Sequence, residues 1–256
     1  MAQRVSDPQG ALLVCPTPIG NLEDVTLRVL RVLAEADVVA CEDKRRTPLL
    51  LERHGIRARE LVAYHEHNER QRTAQLVQRI QEGATVALVS DAGMPIVSDP
   101  GFLLVRECLA AGVQVEVLPG ASSVPVALVA SGLPAAQWCF VGFLPRKRGQ
   151  RERVLADAAH TLVALESPKR LAATLDMLAN VDADRPVAVC RELTKLHEEV
   201  RRGPAHELAA HYRTHAALGE VVLVVGAAAP TQRVRRPAAG ADHRRPGAPA
   251  SVVEHP

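Results

Sequence analysis

The chain has 256 residues, 47% hydrophobic and 23% charged, with a formal net charge of +2. That length suffices for one large unit or two modest ones with proper cores, and so small a net charge confines any nucleic-acid contact to a local patch. With one Trp, two Tyr and three Phe, the composition argues against a surface that works mainly by stacking bases on aromatic rings. Five cysteines at 15, 41, 108, 139 and 190 stand singly with no CxxC pair, the pattern of reduced thiols in a cytoplasmic protein. The opening MAQRVSDPQG holds no apolar signal core, and no apolar run reaches membrane-spanning length.

In chain order, ALLVC (11–15) reads as a buried strand and VTLRVLRVLAEA (25–36) as an amphipathic helix, with Asp24 placed to cap it. DVVAC (37–41) is a second strand and TPLLLERHG (47–55) a helix ending at Gly55. LVAY (61–64), ATVALV (84–89) and VQVEVL (113–118) are further strands, with helices expected over 69–82, 100–111 and 122–131. Strands separated by helices imply a largely parallel sheet covered on both faces.

Pro, Gly and five basic residues cluster in GFLPRKRGQRER (142–153), after which the pattern restarts. A helix over 150–159 precedes strand 161–166, helix 168–179 and strand 186–190. LHEEVRRG (196–203) alternates like an exposed strand or hairpin arm, followed by helix 205–213 and strand 220–226. The expected organisation is therefore an N-terminal α/β domain over 11–141, a linker over 142–149, a second α/β domain over 150–227, and a disordered Pro/Arg-rich tail over 228–256.

In an open α/β sheet, ligands sit beyond the carboxyl ends of the strands. Three loops there carry Pro, Gly and polar residues: CPTPIGNLEDVT (15–26), SDAGMPIVSDPG (90–101) and LPGASSVPVALVASGLP (118–134). Asp99-Pro100 reads as a helix cap, but Ser90 to Gly93 hold more polar and backbone groups than a turn requires. No GxGxxG dinucleotide turn or GxxxxGK[ST] phosphate loop occurs in the sequence, which disfavours nucleotide triphosphate chemistry. His65-x-His67 has no clear companion ligands for a metal.

These loops, together with CEDKRRT, YHEHNE, GFLPRK, ESPKR and RELTKLHEEVRRG, resemble in order the tetrapyrrole-methylase-like, or class III, S-adenosylmethionine-dependent methyltransferases. Within that family they are most similar to the branch acting on small-subunit ribosomal RNA. Cys41, Lys44 and Met94 depart from its usual residues. The resemblance implies two α/β domains with S-adenosyl-L-methionine in the cleft between them, a homodimer, and 2′-O-methylation of a cytidine in the decoding region of 16S rRNA. It implies cofactor contacts at Pro16, Thr17, Pro18, Ile19 and Gly20, at Ser90, Asp91, Ala92, Gly93 and Met94, at Ser122, Ser123 and Val124, and at Leu165, Glu166 and Cys190.

The catalytic base stays open among Asp43, His65 and Glu192. Asp43 and Arg45 could equally form a structural ion pair. Arg45, His67, Arg146, Lys147, Arg148, Arg191 and Lys195 are candidates for RNA contact; for the basic run a solvated linker is the alternative, and for Arg191 and Lys195 a dimer contact. Two other readings compete: a small-molecule methyltransferase acting on a tetrapyrrole-like substrate, and a non-catalytic RNA-binding ribosome-assembly factor.

Overall fold

A computed structural model describes residues 10–228. The expected tail, with its arginines, lies outside the described residues from position 229 onward.

The first half supplies strands β1 (Ala11–Val14), β2 (Val38–Cys41), β3 (Leu61–Ala63), β4 (Thr85–Val89) and β5 (Gln114–Val117). They form one all-parallel sheet in the order β3-β2-β4-β1-β5. The intervening helices are α1 (Leu27–Glu35), α2 (Thr47–Arg53), α3 (Glu69–Gln81) and α4 (Phe102–Ala110). Val29 and Leu33 of α1 and Leu50 and Leu51 of α2 pack on one face of the sheet. Leu76 and Ile80 of α3 and Leu104 and Cys108 of α4 pack on the other. The near-continuous apolar strands follow from burial on both faces.

The second sheet is mixed. It contains β6 (Trp138–Phe143), β7 (Thr161–Glu166), β8 (Pro186–Arg191), β9 (Glu199–Pro204) and β10 (Val221–Val225), in the order β6-β7-β10-β8-β9. Only β6 and β7 run parallel; β10 is antiparallel to both β7 and β8, and β9 to β8. Period-two alternation fills both faces. Val221, Leu223 and Val225 of β10 join a core with helices α6 (Arg148–Ala156), α7 (Pro168–Val181) and α8 (Ala205–Thr214). Val222 and Val224 join a second core with α5 (Ser123–Ser131) and Ile19.

Three expectations need correction. The helix after β1 is capped by Thr26, whose hydroxyl accepts from the Val29 N–H at 3.1 Å, and not by Asp24. Gly101, at φ 132°, is the N-cap of α4, so Asp99 lies in the preceding turn and leaves its carboxylate free of a capping role. Residues 142–149 are not a plain linker: β6 runs to Phe143 and α6 begins at Arg148. Strand β6 (WCFVGF) escapes a periodicity reading because its sequence is apolar at both alternating positions, although exposure alternates from Cys139 to Phe143. Arg185 is the largest of the fully buried side chains and donates to the carbonyls of Gly226, Leu155 and Ala158 at 2.8, 2.6 and 3.3 Å. No helix among the described residues is long and apolar enough to cross a membrane.

Candidate active site

The loops that leave β1 and β4 are tied to each other. Thr17 and Gly93 exchange both backbone hydrogen bonds at 2.9 Å, forming an isolated antiparallel bridge. Thr17 Oγ1 donates to the Ser90 carbonyl at 3.0 Å, and Ser90 Oγ donates to the Gly93 carbonyl at 3.1 Å. The buried Thr17 hydroxyl thus ties the first loop to the second, and the buried Ser90 hydroxyl closes the turn within the second. Gly93 sits at φ 85°, a conformation that favours glycine. The third loop approaches closely as well: a Cβ at Gly120 would stand 2.8 Å from Pro16 Cβ.

Beyond these loops lies a cleft of about 480 Å³ between the two sheets, within the size range of small-molecule sites. Ile19, Glu42, Asp91, Ala92 and Asp99 line it from the first sheet's loops, and Ser123 from α5. Leu165, Glu166, Ser167, Cys190, Leu193, Glu220, Val221 and Val222 line it from the second sheet. The wall from β10 comes from that strand's amino end, because Val221 pairs with Glu166 and Arg191, the last residues of two antiparallel neighbours. A recess of about 380 Å³ shares Ile19, Asp91, Ala92 and Glu220 with the cleft and adds Thr17, Pro18, Gly20 and Ser90.

The cleft is acidic. Burial, and then the neighbouring carboxylate of Asp91, raises the pKa of Glu42. Asp99 is pushed up to about 7 by burial and then by the carboxylates of Glu42, Asp91 and Glu220. Asp91 is better compensated: its Oδ1 accepts from the Asp43 N–H at 3.1 Å, and Arg46 Nε stands 3.6 Å from its Oδ2. Glu166 is buried with both oxygens engaged. Oε1 accepts from the Ser167 N–H at 2.7 Å and pairs with Arg170 at 2.5 Å, and Oε2 accepts from Thr174 at 2.7 Å. It therefore acts as a post for the β7–α7 corner.

Of the residues expected at a cofactor, Ile19, Asp91, Ala92, Ser123, Leu165, Glu166 and Cys190 meet at the cleft, and Thr17, Pro18, Gly20 and Ser90 at the recess. Pro16, Gly93, Met94, Ser122 and Val124 line neither, and Val124 is a residue of α5 buried in the core between that helix and the second sheet.

The three candidate bases do not line the cleft. Asp43 is clamped by Arg45 at 2.7 Å, and that hydrogen bonding drops its pKa to about 2, so the ion-pair reading of these two residues describes them. Its neighbour Glu42 faces the cleft instead. Glu192 accepts from the Glu220 N–H and from Lys195, which lower its pKa. His65 binds Asn68 through Nε2 at 3.2 Å, while its buried Nδ1 has no partner.

Among the candidates for RNA contact, Arg191 is held by Glu199 and the Leu218 carbonyl, and Lys195 by Glu192 and Glu220. His67, Arg146, Lys147 and Arg148 are exposed. Among the described residues no group of three or more His, Cys, Asp or Glu side chains could hold a metal ion.

Residues 11–209 match the family of tetrapyrrole (corrin/porphyrin) methylases. The chain belongs to that family. This methylase-family chain is 41% identical over 218 residues to the ribosomal RNA small subunit methyltransferase I of Thermotoga maritima, covering 84% of this chain and 98% of that one. It is 47% identical over 223 residues to the protein of the same name from Halalkalibacterium halodurans, covering 86% and 76%. Among solved structures, uroporphyrin-III-C-methyltransferase from Thermus thermophilus aligns with a TM-score of 0.61 at 26% identity over 85% of this chain and 94% of that one. Cobalt precorrin-4 methyltransferase aligns with a TM-score of 0.64 at 18% identity over 87% and 98%, a likeness of fold.

The cleft residues outside the sequence expectation include Glu42, Asp99, Ser167, Glu220, Val221 and Val222. Glu42 and Asp99 were within reach, since both lie in loops already singled out. The β10 residues were not, because a rule based on carboxyl ends does not point to the amino end of an antiparallel strand.

Proposed function

We propose that this chain transfers a methyl group from S-adenosylmethionine to the RNA of the small ribosomal subunit, and that the acceptor is the 2′-hydroxyl of a cytidine in the decoding region of 16S rRNA. The observation that carries the reading is the match to the Thermotoga relative, which extends over 98% of that protein's length. That relative is therefore about as long as the part of this chain that it matches. The solved methylase at 26% identity supports the shared fold and leaves the substrate to be decided by the nearer relatives.

The residues present fit such a cofactor. Asp91, Glu42, Asp99 and Glu220 line the cleft, and carboxylates favour a ligand carrying sulfonium and ammonium charges. Ile19, Leu165 and Val222 offer apolar surface for the adenosine. When bound, the cofactor supplies an electrophilic methyl group. The protein's part is to orient the acceptor in line with the methyl carbon and to exclude water.

The test is transfer of labelled methyl to purified small subunits that lack the modification, followed by mapping. A ribose-methylated cytidine in the decoding region is expected. Cofactor binding with no label in the subunit RNA would overturn the assignment.

The homodimer belongs to the same proposal, and the cytoplasm is its setting. Strand β6 supports a dimer: it is an edge strand with Trp138 and Val141 exposed on opposite faces, and an open apolar edge invites a partner strand. Light scattering should return twice the 27.5 kDa chain mass. A monomer mass at micromolar concentration would refute it.

A further inference from the structure

Ser98 and Asp99 line two cavities at once. One is the acidic cleft. The other is a groove of about 760 Å³ on the outer side, formed where α3 and α4 begin, with Glu66, Glu69, Arg70, Phe102 and Arg106 around it. Phe102 is 64% exposed, and the Arg106 guanidinium stands 6.0 Å from its ring centroid. Two of the chain's three phenylalanines, Phe102 here and Phe143 at the cleft, are left open to water, which forgoes burial that would otherwise stabilise the fold.

The wall between the two cavities is held by its backbone. Ile96 and Ser98 take φ values of 77° and 69°, a costly conformation for a β-branched residue, and such strain clusters at functional sites. Gly101 lets the segment fold back on itself: a Cβ there would come within 2.8 Å of Leu88 and 3.0 Å of Ile96. The half-buried Asp99 thereby lines both spaces, and the charged groups that raise its pKa are carboxylates.

Resting on the reading of the chain as a ribosomal RNA methyltransferase, we propose that the outer groove seats the nucleotide to be methylated, and that Asp99 receives the proton of its hydroxyl. Phe102 offers a face for a base, and base–aromatic stacking contributes without demanding a particular sequence. Arg70 offers a guanidinium group for a flanking phosphate, and Arg106, held by its neighbour Glu107 through Nε and Nη2, would exchange that exposed pair for a second phosphate. Glu66 and Glu69, on the same rim, repel a strand that strays from those two arginines. A ribose entering past Phe102 meets Asp99 before it meets the cleft.

The step balances. The ribose oxygen forms a bond to the methyl carbon, the carbon–sulfur pair stays with sulfur, and the hydroxyl proton passes to the Asp99 carboxylate and then to water. A base works best with a pKa near the operating pH, and burial together with Glu42, Asp91 and Glu220 brings Asp99 to about 7. Facing it are those three carboxylates with Arg46 and the buried Glu166 on the cleft side, and Glu66, Glu69, Arg70 and Arg106 on the groove side.

The test separates chemistry from binding. Asp99→Asn should lower kcat on small subunits by about 100-fold or more, a far larger change than in KM for the subunit or in calorimetric S-adenosylmethionine affinity, to which Asp99 contributes as one of the cleft carboxylates. The wild-type kcat should rise with pH through about 7 as Asp99 loses its proton, and that limb should vanish in the variant. Phe102→Ala and Arg106→Gln should each weaken binding of small-subunit RNA, measured without cofactor, by about 5- to 100-fold, with S-adenosylmethionine affinity unchanged. Wild-type kcat in Asp99→Asn, or undiminished RNA affinity in both groove variants, would overturn the proposal. A wild-type protein that binds cofactor but methylates no subunit RNA would overturn the parent reading and this one together.

Discussion

Arg185→Met is expected to destabilise the protein by about 3–5 kcal/mol, the range for removing one partner of a buried charged network. The guanidinium is 1% exposed and spans three carbonyls: Leu155 in α6, Ala158 just beyond it, and Gly226 just past β10. Burial lowers its pKa, and the charge is retained because each of the three guanidinium nitrogens donates to a carbonyl. Methionine fills the space and satisfies none of the three carbonyls. Against a total stability of roughly 5–15 kcal/mol, that loss leaves little margin at growth temperature. Urea unfolding of both proteins measures it, and a difference below about 1 kcal/mol, the worth of one ordinary hydrogen bond, would show that water replaces the guanidinium.

The second large effect is on the cleft. Asp91→Ala should weaken S-adenosylmethionine binding by about 10- to 150-fold, equivalent to losing one hydrogen bond or contact with a charged partner at about 1.5–3 kcal/mol. Two consequences act together. The cationic ligand loses a carboxylate, and the loop after β2 loses the acceptor that holds the Asp43 N–H at 3.1 Å. Asp91→Asn separates them, since the amide oxygen still accepts that N–H while the charge is gone. Calorimetric titration reads both variants, with circular dichroism to confirm folding. Wild-type affinity in Asp91→Ala would remove Asp91 from the site.

Much of the first sheet was legible because its strands are short apolar runs buried on both faces, and its loops announce themselves through Pro, Gly and Ser. Ser90 to Gly93 illustrate both the reach and the limit of that signal. The stretch does stand at the cleft, yet its serine holds the Gly93 carbonyl and only Asp91 and Ala92 face the opening. Which way a side chain points after a strand ends depends on the local turn, and no composition reveals it. Hence Asp43 was a candidate where Glu42 faces inward, and Asp99 read as a helix cap where Gly101 holds that position. The second sheet was legible as elements and not as an arrangement. Antiparallel pairing around β10 leaves no mark on periodicity, and β6 (WCFVGF), apolar at both alternating positions, carries no polar contrast to read.

The place of β10 in the chain has a consequence for how the molecule is made. Among the described residues it is the last strand in sequence and the middle strand of its sheet, joined on one side to β7 and on the other to β8. During synthesis the first sheet has all its strands by Val117 and can close while translation continues. The second cannot. Until residues 221–225 leave the ribosome, β7 and β8 each present an unpaired apolar edge across the gap that β10 will fill. Such edges are open to wrong partners, so the nascent chain passes through a half-built state that ends only when its final strand slots in.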